Sequence, residues 1–252
     1  MSGPIIIQDL SSALLETHNS VIKQRLMVGE VEGLEVHFFS TVAGAGMEFP
    51  PLPDAGRVLL FTNGIGLMDM SGKTLGIHEI ALCVPGQNRC RITGSAPCLE
   101  FLELVIPFSA ADKKEWAANQ AQFPYFISYS DCKTYREKIK SEKTKSRTLL
   151  PDNLFPRFCI GSVETTGPDL VGAHTHPMLE QLFFGLKGNH CRVKADEVQT
   201  VFKENVLLHI PLGSSHSVEV DAPYNLHYIW MDLFRNRADM EYIQQEHLED
   251  NK

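Results

Sequence analysis

The sequence lacks the features that mark membrane-spanning and nucleic-acid-binding proteins. Its strongest apolar runs, such as Val58 to Phe61 and Val206 to Leu208, have the length of strands and are far too short to cross a bilayer as a helix. The formal net charge is −8, which argues against nucleic acid or an anionic membrane as a partner. We therefore expect a globular protein whose partner is a small-molecule substrate.

Two other absences bear on location. The six cysteines include no CxxC pair, and a disulfide framework is unusual in a chain of 252 residues, so we expect reduced and mostly buried thiols. The N-terminal segment MSGPIIIQDL has neither a basic start nor a long apolar stretch, so we expect no secretory signal. Both observations predict a cytoplasmic protein.

The chain does contain many short apolar segments rich in β-branched and aromatic residues, separated by glycine and proline clusters. They fall in two stretches, residues 32–108 and 157–235, and this spacing predicts barrels or sandwiches of strands rather than alternating strands and helices. The predicted strands are Leu34–Thr41, Arg57–Thr62, Glu79–Val84, Cys90–Ile92 and Leu99–Ile106, then Phe158–Glu164, Gln181–Leu186, His190–Lys194, Gln199–Phe202, Val206–Ile210, Ser217–Val220 and Leu226–Leu233.

The remaining stretches complete the predicted organisation. Residues 1–31 form an N-terminal arm, residues 109–156 a helical linker, and residues 236–252 a C-terminal helix or tail. Helices are predicted over Ala110–Ala121, Asp131–Lys145 and Asn236–Glu249. In the second of these, lysine and glutamate alternate with few apolar positions, which is typical of a solvated helix face.

Histidines are concentrated in the second half, where six of the ten lie between His174 and His227. His174 and His176 are two residues apart, so on an extended strand both project to the same face. His216 follows the turn sequence Pro211-Leu-Gly213 and opens another strand. Three neutral imidazoles and one side-chain oxygen would suit a first-row divalent metal ion with open coordination positions.

These two segments resemble the paired motifs of the cupin superfamily: HxH, an acidic or amide ligand and a closing glycine, then a PxGxxH turn. Gly188 falls on the closing glycine. Asn205 replaces the glycine that opens the second motif, and asparagine also tolerates a left-handed backbone.

The resemblance implies a mainly β, RmlC-like bicupin, with two cupin (double-stranded β-helix, jelly-roll) barrels in one chain and a helical connection. It also implies one divalent ion (Zn, Mn, Fe or Ni) held by His174, His176 and His216 in the C-terminal barrel, and a homodimer.

Two neighbouring residues compete for the fourth ligand position, where cupins commonly carry glutamate. Glu180 has that chemistry, whereas Gln181 lies seven residues before Gly188, as the motif spacing expects. Adjacent strand residues face opposite sides, so at most one of them points at the metal. The register favours Gln181, and Glu180 would then serve as a proton carrier or support the ligands.

The first half fits the same template with the metal ligands lost. Arg57 stands where a ligand would be, and the turn Val84-Pro85-Gly86 is followed by no histidine. We therefore predict a degenerate N-terminal barrel, in which His37 and His78 are structural.

The preferred function is isomerisation, or a related proton transfer, on a small sugar or sugar acid. The layout is similar to that of the 5-keto-4-deoxyuronate and 5-deoxyglucuronate isomerases. Candidate proton carriers are Glu180, His209 and Tyr228, with His227 as a further possibility. The alternatives are an Fe(II)-dependent dioxygenase and a non-catalytic metabolite-binding protein.

Overall fold

A computed structural model of the chain describes residues 4–10 and 20–248. The chain divides into two compact units: one runs from Ser12 to Cys132, and the other combines Met1–Ser11 with Lys133–Lys252. In the described part of the chain, no helix has the length and apolar character needed to span a membrane.

Strands dominate both units. Those of the N-terminal unit are β2 (Val21–Leu26), β3 (Glu35–Val42), β4 (Gly46–Phe49), β5 (Ala55–Met70), β6 (Lys73–Ile77), β7 (Ala81–Val84), β8 (Cys90–Pro107) and β9 (Tyr125–Ser128). Those of the C-terminal unit are β1 (Ile6–Asp9), β10 (Lys133–Tyr135), β11 (Lys145–Leu150), β12 (Phe158–Thr166), β13 (Asp169–Thr175), β14 (Leu179–Gly185), β15 (His190–Ala195), β16 (Val198–Lys203), β17 (Val206–Ile210), β18 (Ser215–Val220) and β19 (Asn225–Phe234).

The N-terminal unit is built on two long antiparallel strands. β5 and β8 pair along most of their length, and the other strands flank them in the order β2-β3-β8-β5-β7-β9. The pairing shifts register near Gly64, where a side chain could not fit because a Cβ atom would lie 2.1 Å from the carbonyl oxygen of Cys98. Phe39, Phe61 and Phe101 fill the interior of this unit.

The C-terminal unit consists of two facing sheets. One has the order β1-β17-β14-β19-β12-β11-β10 and the other β13-β18-β15-β16. Side chains from both sheets, among them Phe183, Phe202 and Val218, form its buried core. The turn at Gly188, which has φ 80°, carries the chain from β14 in one sheet to β15 in the other. This glycine therefore links the two sheets rather than closing a hydrogen-bonded hairpin.

The N-terminal strand belongs to the C-terminal unit. β1 pairs antiparallel with β17, with Ile6 opposite His209, and Leu10 donates a backbone hydrogen bond to Asn205. Asn205 has φ 57°, the left-handed conformation expected from the sequence. Part of the predicted N-terminal arm is thus an edge strand.

Two of the three predicted helices are present. The first, α1 (Ala110–Ala118), begins at a capping box formed by Ser109 and Asp112. The second, α2, spans Arg237–Leu248, while Glu249 lies outside the described residues.

The helix predicted over Asp131–Lys145 is wrong. Most of that segment, residues 136–144, is an irregular stretch between β10 and β11, which we call the strap. Hydrogen bonds hold it against β13: Asp169 accepts from Ser141 and Thr144, and Gly172 N–H donates to the Ile139 carbonyl. These tertiary contacts override the helix propensity of a Lys- and Glu-rich sequence.

The six cysteines are free thiols, and five of them are buried. Burial raises the pKa of the Cys191 thiol to about 12. The thiols therefore serve as core side chains, as the sequence indicates.

Candidate metal centre

His174, His176 and His216 converge in the C-terminal unit. Each offers a ring nitrogen, and these nitrogens all lie within 4.8 Å of one another. The ring centroids of His174 and His216 are 4.2 Å apart, and those of His174 and His176 are 4.9 Å apart. Three imidazole nitrogens at this spacing could share one metal ion.

An irregularity in the pairing of β13 determines the direction in which the His174 side chain points. Val171 pairs with Val218 and His174 pairs with His216, and the register shifts between these two pairs. An extra residue of this kind is a β-bulge, which changes the side that later residues face. Val171 lies in the core cluster although it is an odd number of residues from His174. The bulge therefore allows both side chains to face the interior.

Backbone carbonyls orient two of the rings. Nδ1 of His174 lies 2.8 Å from the carbonyl oxygen of Gly172, and Nδ1 of His216 lies 3.4 Å from that of Ser214. A carbonyl can only accept a hydrogen bond, so the proton belongs on Nδ1 and the lone pair on Nε2. Metal-binding histidines in proteins commonly use this arrangement.

His216 is suited to remain neutral. Its side chain is buried, and burial, together with the neighbouring His174, lowers its pKa to about 4. Its Nε2 atom is buried and has no hydrogen-bond partner among the described residues. A metal ligand must be an unprotonated imidazole, so this environment favours ligation.

The structure places Gln181 on the interior face of β14. It is two residues before Phe183, whose ring lies 6.1 Å from that of His216 and belongs to the core cluster. The side-chain Nε2 of Gln181 donates to Asp232 at 2.9 Å. Its Oε1 atom is buried and finds no partner within the described part of the chain. An unpartnered buried oxygen on this face is the donor expected of a fourth ligand.

Asp232 is a site residue that the sequence did not reveal. It lies on β19, directly opposite Gln181 in the strand pairing. Burial raises its pKa to about 7; the hydrogen bond from Gln181 opposes that rise, Glu137 adds to it, and Lys140 opposes it. Asp232 lies two residues after Trp230 and four after Tyr228, so the alternation of side chains along a strand could have predicted its interior position from the sequence.

Glu180 and His209 are not brought to the three histidines. They lie on β14 and β17 with their side chains on the face opposite to Gln181 and Ile210, and they pair with each other at 2.9 Å. The structure therefore places neither Glu180 nor His209 among the candidate metal ligands, and their roles as proton carriers stay predictions. His227 also faces away from the interior, 3.6 Å from Glu164.

Tyr228 faces the interior but is a packed core residue. Its ring stacks 4.7 Å from Phe183 and lies 5.9 Å from Phe202. Burial, with smaller contributions from Cys191 and Glu137, raises its pKa well above the ordinary value. Such an environment disfavours the ionised form that proton exchange at neutral pH requires.

The strap contains a buried ion pair between Glu137 and Lys140. Lys140 Nζ lies 2.6 Å from Glu137 Oε1 and donates to Ser146 at 3.0 Å. The Lys140 side chain is 7% exposed and that of Glu137 is 14% exposed. Tyr135 hydrogen-bonds to Glu137, and burial raises the pKa of this tyrosine well above its ordinary value. The sequence interpretation missed these residues because it assigned them to a solvated helix.

The corresponding position in the N-terminal unit holds an ion pair. Arg57 Nε lies 2.7 Å from Glu103, and His37 Nδ1 lies 3.3 Å from the same carboxylate. The Arg57 guanidinium also stacks over the Phe49 ring at 5.3 Å. Arg57 therefore occupies the strand position at which the degenerate barrel was predicted to have lost a metal ligand.

Comparison with known proteins gives similarity of structure but not of sequence. No protein-family description matches this chain, and no curated protein matches it. A candidate glyoxylate-induced protein from Pseudomonas aeruginosa superposes with a TM-score of 0.74 at 9% identity, covering 94% of this chain and 90% of its own.

Two further solved structures are similar over comparable lengths. An IolB-like protein from Salmonella typhimurium LT2 has a TM-score of 0.65 at 15% identity, over 87% of this chain and 94% of its own. Lactobacillus farciminis oxalate decarboxylase, in a formate complex, has a TM-score of 0.65 at 14% identity, over 94% of this chain and 87% of its own.

At these identities the likeness concerns the fold alone, and the fold is clear. Proteins described as cupin barrels are among the structural matches. The chain has a mainly β fold of two cupin-type barrels, as the motifs around His174 and His216 predicted, although its connecting segment is only partly helical. Its C-terminal barrel carries a histidine triad that could bind a metal ion.

Proposed function

We propose that the protein is a metal-dependent enzyme that catalyses isomerisation, or a related proton transfer, on a small sugar or sugar acid. The observation that carries this proposal is the histidine triad together with the unpartnered Oε1 atom of Gln181. His174, His176, His216 and Gln181 would hold one divalent ion. Two of the donor atoms, His216 Nε2 and Gln181 Oε1, are buried and unsatisfied without it.

The bound ion would supply Lewis-acid chemistry, polarising a substrate carbonyl and acidifying the adjacent C–H bond. The protein's part is to hold the donors in place. The carbonyls of Gly172 and Ser214 fix the two ring orientations, and Asp232 fixes the Gln181 amide. Because all four ligands are neutral, the full charge of the ion remains available to the substrate.

The structural neighbours support an enzyme without selecting the reaction. Oxalate decarboxylase, which shares the fold, acts on a small carboxylic acid. The isomerase assignment depends on the sequence resemblance and on the neutral ligand set. A cupin site of this kind also serves other reactions, so direct measurement has to select among them.

The test begins with metal analysis of protein purified without added metal. Metal-free protein is then reloaded with Zn, Mn, Ni or Fe(II) and incubated anaerobically in D₂O with a panel of sugars and uronates. NMR should show deuterium entering a carbon-bound position, because proton transfer through the active site exchanges with solvent. Turnover that requires Fe(II) and consumes O₂ would identify a dioxygenase instead.

A matched pair of histidine variants controls the assay. His176→Ala removes one member of the triad, whereas His190→Ala changes a histidine of the same unit that packs against Tyr224. Exchange should disappear in the first and persist in the second. Metal bound without turnover of any substrate in the panel would favour a metabolite-binding protein. Cytoplasmic location and a homodimer remain further proposals, addressed by cell fractionation and by light scattering.

A further inference from the structure

We infer that the outer edge of strand β16 is the surface through which two copies of this chain pair, edge to edge and antiparallel, about a two-fold axis. The inference names the surface of the homodimer proposed above, and it does not depend on the proposed reaction. It is carried by the hydrogen-bonding pattern of β16 and by the charges at the two ends of this strand.

One edge of the four-stranded sheet is covered and the other is open. At the covered edge, β13 meets the strap, where the Gly172 N–H donates to the Ile139 carbonyl. At the other edge, β16 pairs with β15 and with no further strand among the described residues. An open strand edge is a template on which another strand can pair.

The backbone pattern identifies the groups that this edge presents. The Glu204 N–H donates to the Asn189 carbonyl, and these two residues continue the pairing of β16 with β15. Hydrogen-bonded positions alternate along an antiparallel strand, so Thr200 and the other even-numbered residues bond to β15. The N–H and C=O groups of Gln199 and Val201 therefore point to the open edge. Neither of these residues has a backbone partner there within the described part of the chain.

The side chains beside these groups are accessible. Val198 is 44% exposed and Val201 is 47% exposed. β16 contains no proline and keeps one register with β15 over all six of its residues, so its backbone presents a regular edge. A paired strand would remove apolar surface of both valines from water, which favours association.

The charges at the two ends of β16 complement those of a second copy. Glu197 precedes the strand, Lys203 ends it, and both are exposed. In an antiparallel pair centred on Thr200, Glu197 of each copy lies opposite the partner's Lys203. Opposite charges directly across two strands stabilise the pair, whereas like charges destabilise it. Because the contact is two-fold symmetric, the ion pair forms twice.

The same register satisfies the open backbone groups. With Thr200 on the axis, Gln199 lies opposite the partner's Val201, and the two residues can exchange both of their hydrogen bonds. A pair centred on Val201 would instead place Lys203 opposite Gln199 and form no ion pair. The Lys203 carbonyl is also turned inward, since a Cβ atom on Gly185 would lie 2.0 Å from its oxygen. The register centred on Thr200 is therefore favoured.

The test measures the oligomeric state of the full-length chain by sedimentation velocity over a dilution series. Paired strand edges bury less area than a standard interface of about 800 Å² per partner, so the dimer should dissociate on dilution. Lys203→Glu should weaken dimerisation by at least about tenfold, because it places like charges opposite each other. Glu197→Lys/Lys203→Glu should restore it. Lys133→Glu, the same change at an exposed lysine on an edge strand of the other sheet, should have no effect.

Val201→Pro tests the backbone contact. Proline lacks the N–H group that would donate to the partner, but this group makes no bond to β15, so the barrel should stay folded. The variant should be monomeric with an unchanged circular dichroism spectrum, whereas Val201→Thr, which keeps the N–H group, should dimerise. If the proline variant unfolds, the charge-exchange pair decides the question by itself.

Disulfide cross-linking determines the register. Residues opposite each other in a non-hydrogen-bonded pair have Cα atoms about 4.5 Å apart, a distance that a disulfide can span. Thr200→Cys should therefore give a covalent dimer under mild oxidation. Val201→Cys should not, because each Val201 then lies opposite Gln199. The unmodified chain, in which five of the six cysteines are buried, is the control.

The outcomes separate this inference from the proposed function. A monomer at every concentration, a dimer that survives both Lys203→Glu and Val201→Pro, or cross-linking at Val201→Cys in place of Thr200→Cys would overturn the inference. Absence of metal or of turnover in a protein that dimerises as described would contradict only the proposed reaction.

Discussion

His174 and His216 lie directly opposite each other in the antiparallel pairing of β13 and β18, with ring centroids 4.2 Å apart. The strand pairing itself thus sets the distance between two of the three candidate ligands. His176 lies just beyond the end of β13, with its ring 4.9 Å from that of His174. The site is consequently built on hydrogen-bonded backbone, which favours a constant geometry.

His176→Ala should abolish metal binding and leave the barrel folded, because the core does not include this side chain. Metal content falls from one ion per chain to near zero by mass spectrometry, while the far-ultraviolet circular dichroism spectrum is unchanged. His190→Ala should retain the metal. Global unfolding of His176→Ala would show that the histidine has a structural role that the core does not suggest.

Gln181→Leu should weaken metal binding by at least about tenfold, because losing even a residue that only supports a metal ligand has an effect of this size. The matched control is Glu180→Gln, an adjacent change on the opposite face of the same strand. That control should leave affinity unchanged, since Glu180 pairs with His209. Competition with a metal-binding dye measures both affinities, and equal effects of the two substitutions would exclude Gln181 as a ligand.

Arg57→Met should destabilise the N-terminal unit by up to about 3–5 kcal/mol without changing metal content, because the buried Glu103 carboxylate then keeps only His37 beside it. The Arg57 and Glu103 side chains are 10% and 6% exposed. Arg57→Met/Glu103→Gln should recover much of the loss. Of the two tryptophans in the sequence, Trp116 lies in the N-terminal unit, so its fluorescence during urea unfolding can report on this unit.

In the metal-free Asp232→Asn variant, the free energy of unfolding should increase by roughly 3 kcal/mol as the pH rises from 4 to 6.5. His216 has a pKa of about 4 when folded, against 6.5 for a free histidine, so only the unfolded chain is protonated in that range and stability rises with pH. Asp232 has a pKa of about 7 when folded, against 3.8, so only the folded chain keeps its proton and stability falls with pH.

In the unmodified metal-free protein these two contributions oppose each other over nearly the same pH range. Removing the Asp232 carboxyl should expose the contribution of His216. Urea midpoints followed by the fluorescence of Trp230, the tryptophan of the C-terminal unit, provide the measurement. A flat profile for Asp232→Asn would contradict the buried, neutral state of His216.

The sequence predicted the fold and the triad because both have local signatures. Short segments rich in β-branched residues predicted most of the strands, and Val206–Ile210 was predicted with the observed bounds. The HxH pair and the Pro-x-Gly turn revealed the triad in the same way. At Gly213 the observed φ of 76° explains why that turn needs glycine.

What the sequence did not reveal depends on contacts between distant residues. β13, which carries His174, was absent from the predicted strands although the argument for the HxH pair assumed an extended backbone, because the bulge before His174 interrupts the strand pattern. Lys140 appeared to belong to a solvated helix, and only the hydrogen bonds between the strap and Asp169 reveal its buried position. Asp232 acquires its properties from burial, which local spacing does not determine.

The pairing of β1 with β17 has a consequence for how the protein is made. Ile6 leaves the ribosome about two hundred residues before His209, the residue that it faces in the sheet. The whole N-terminal barrel is synthesised within that interval, so β1 cannot pair with β17 until that barrel has been made. Completion of the C-terminal barrel is thus a late event in biosynthesis, and among the strand pairs that the structure describes, this pair closes the longest loop.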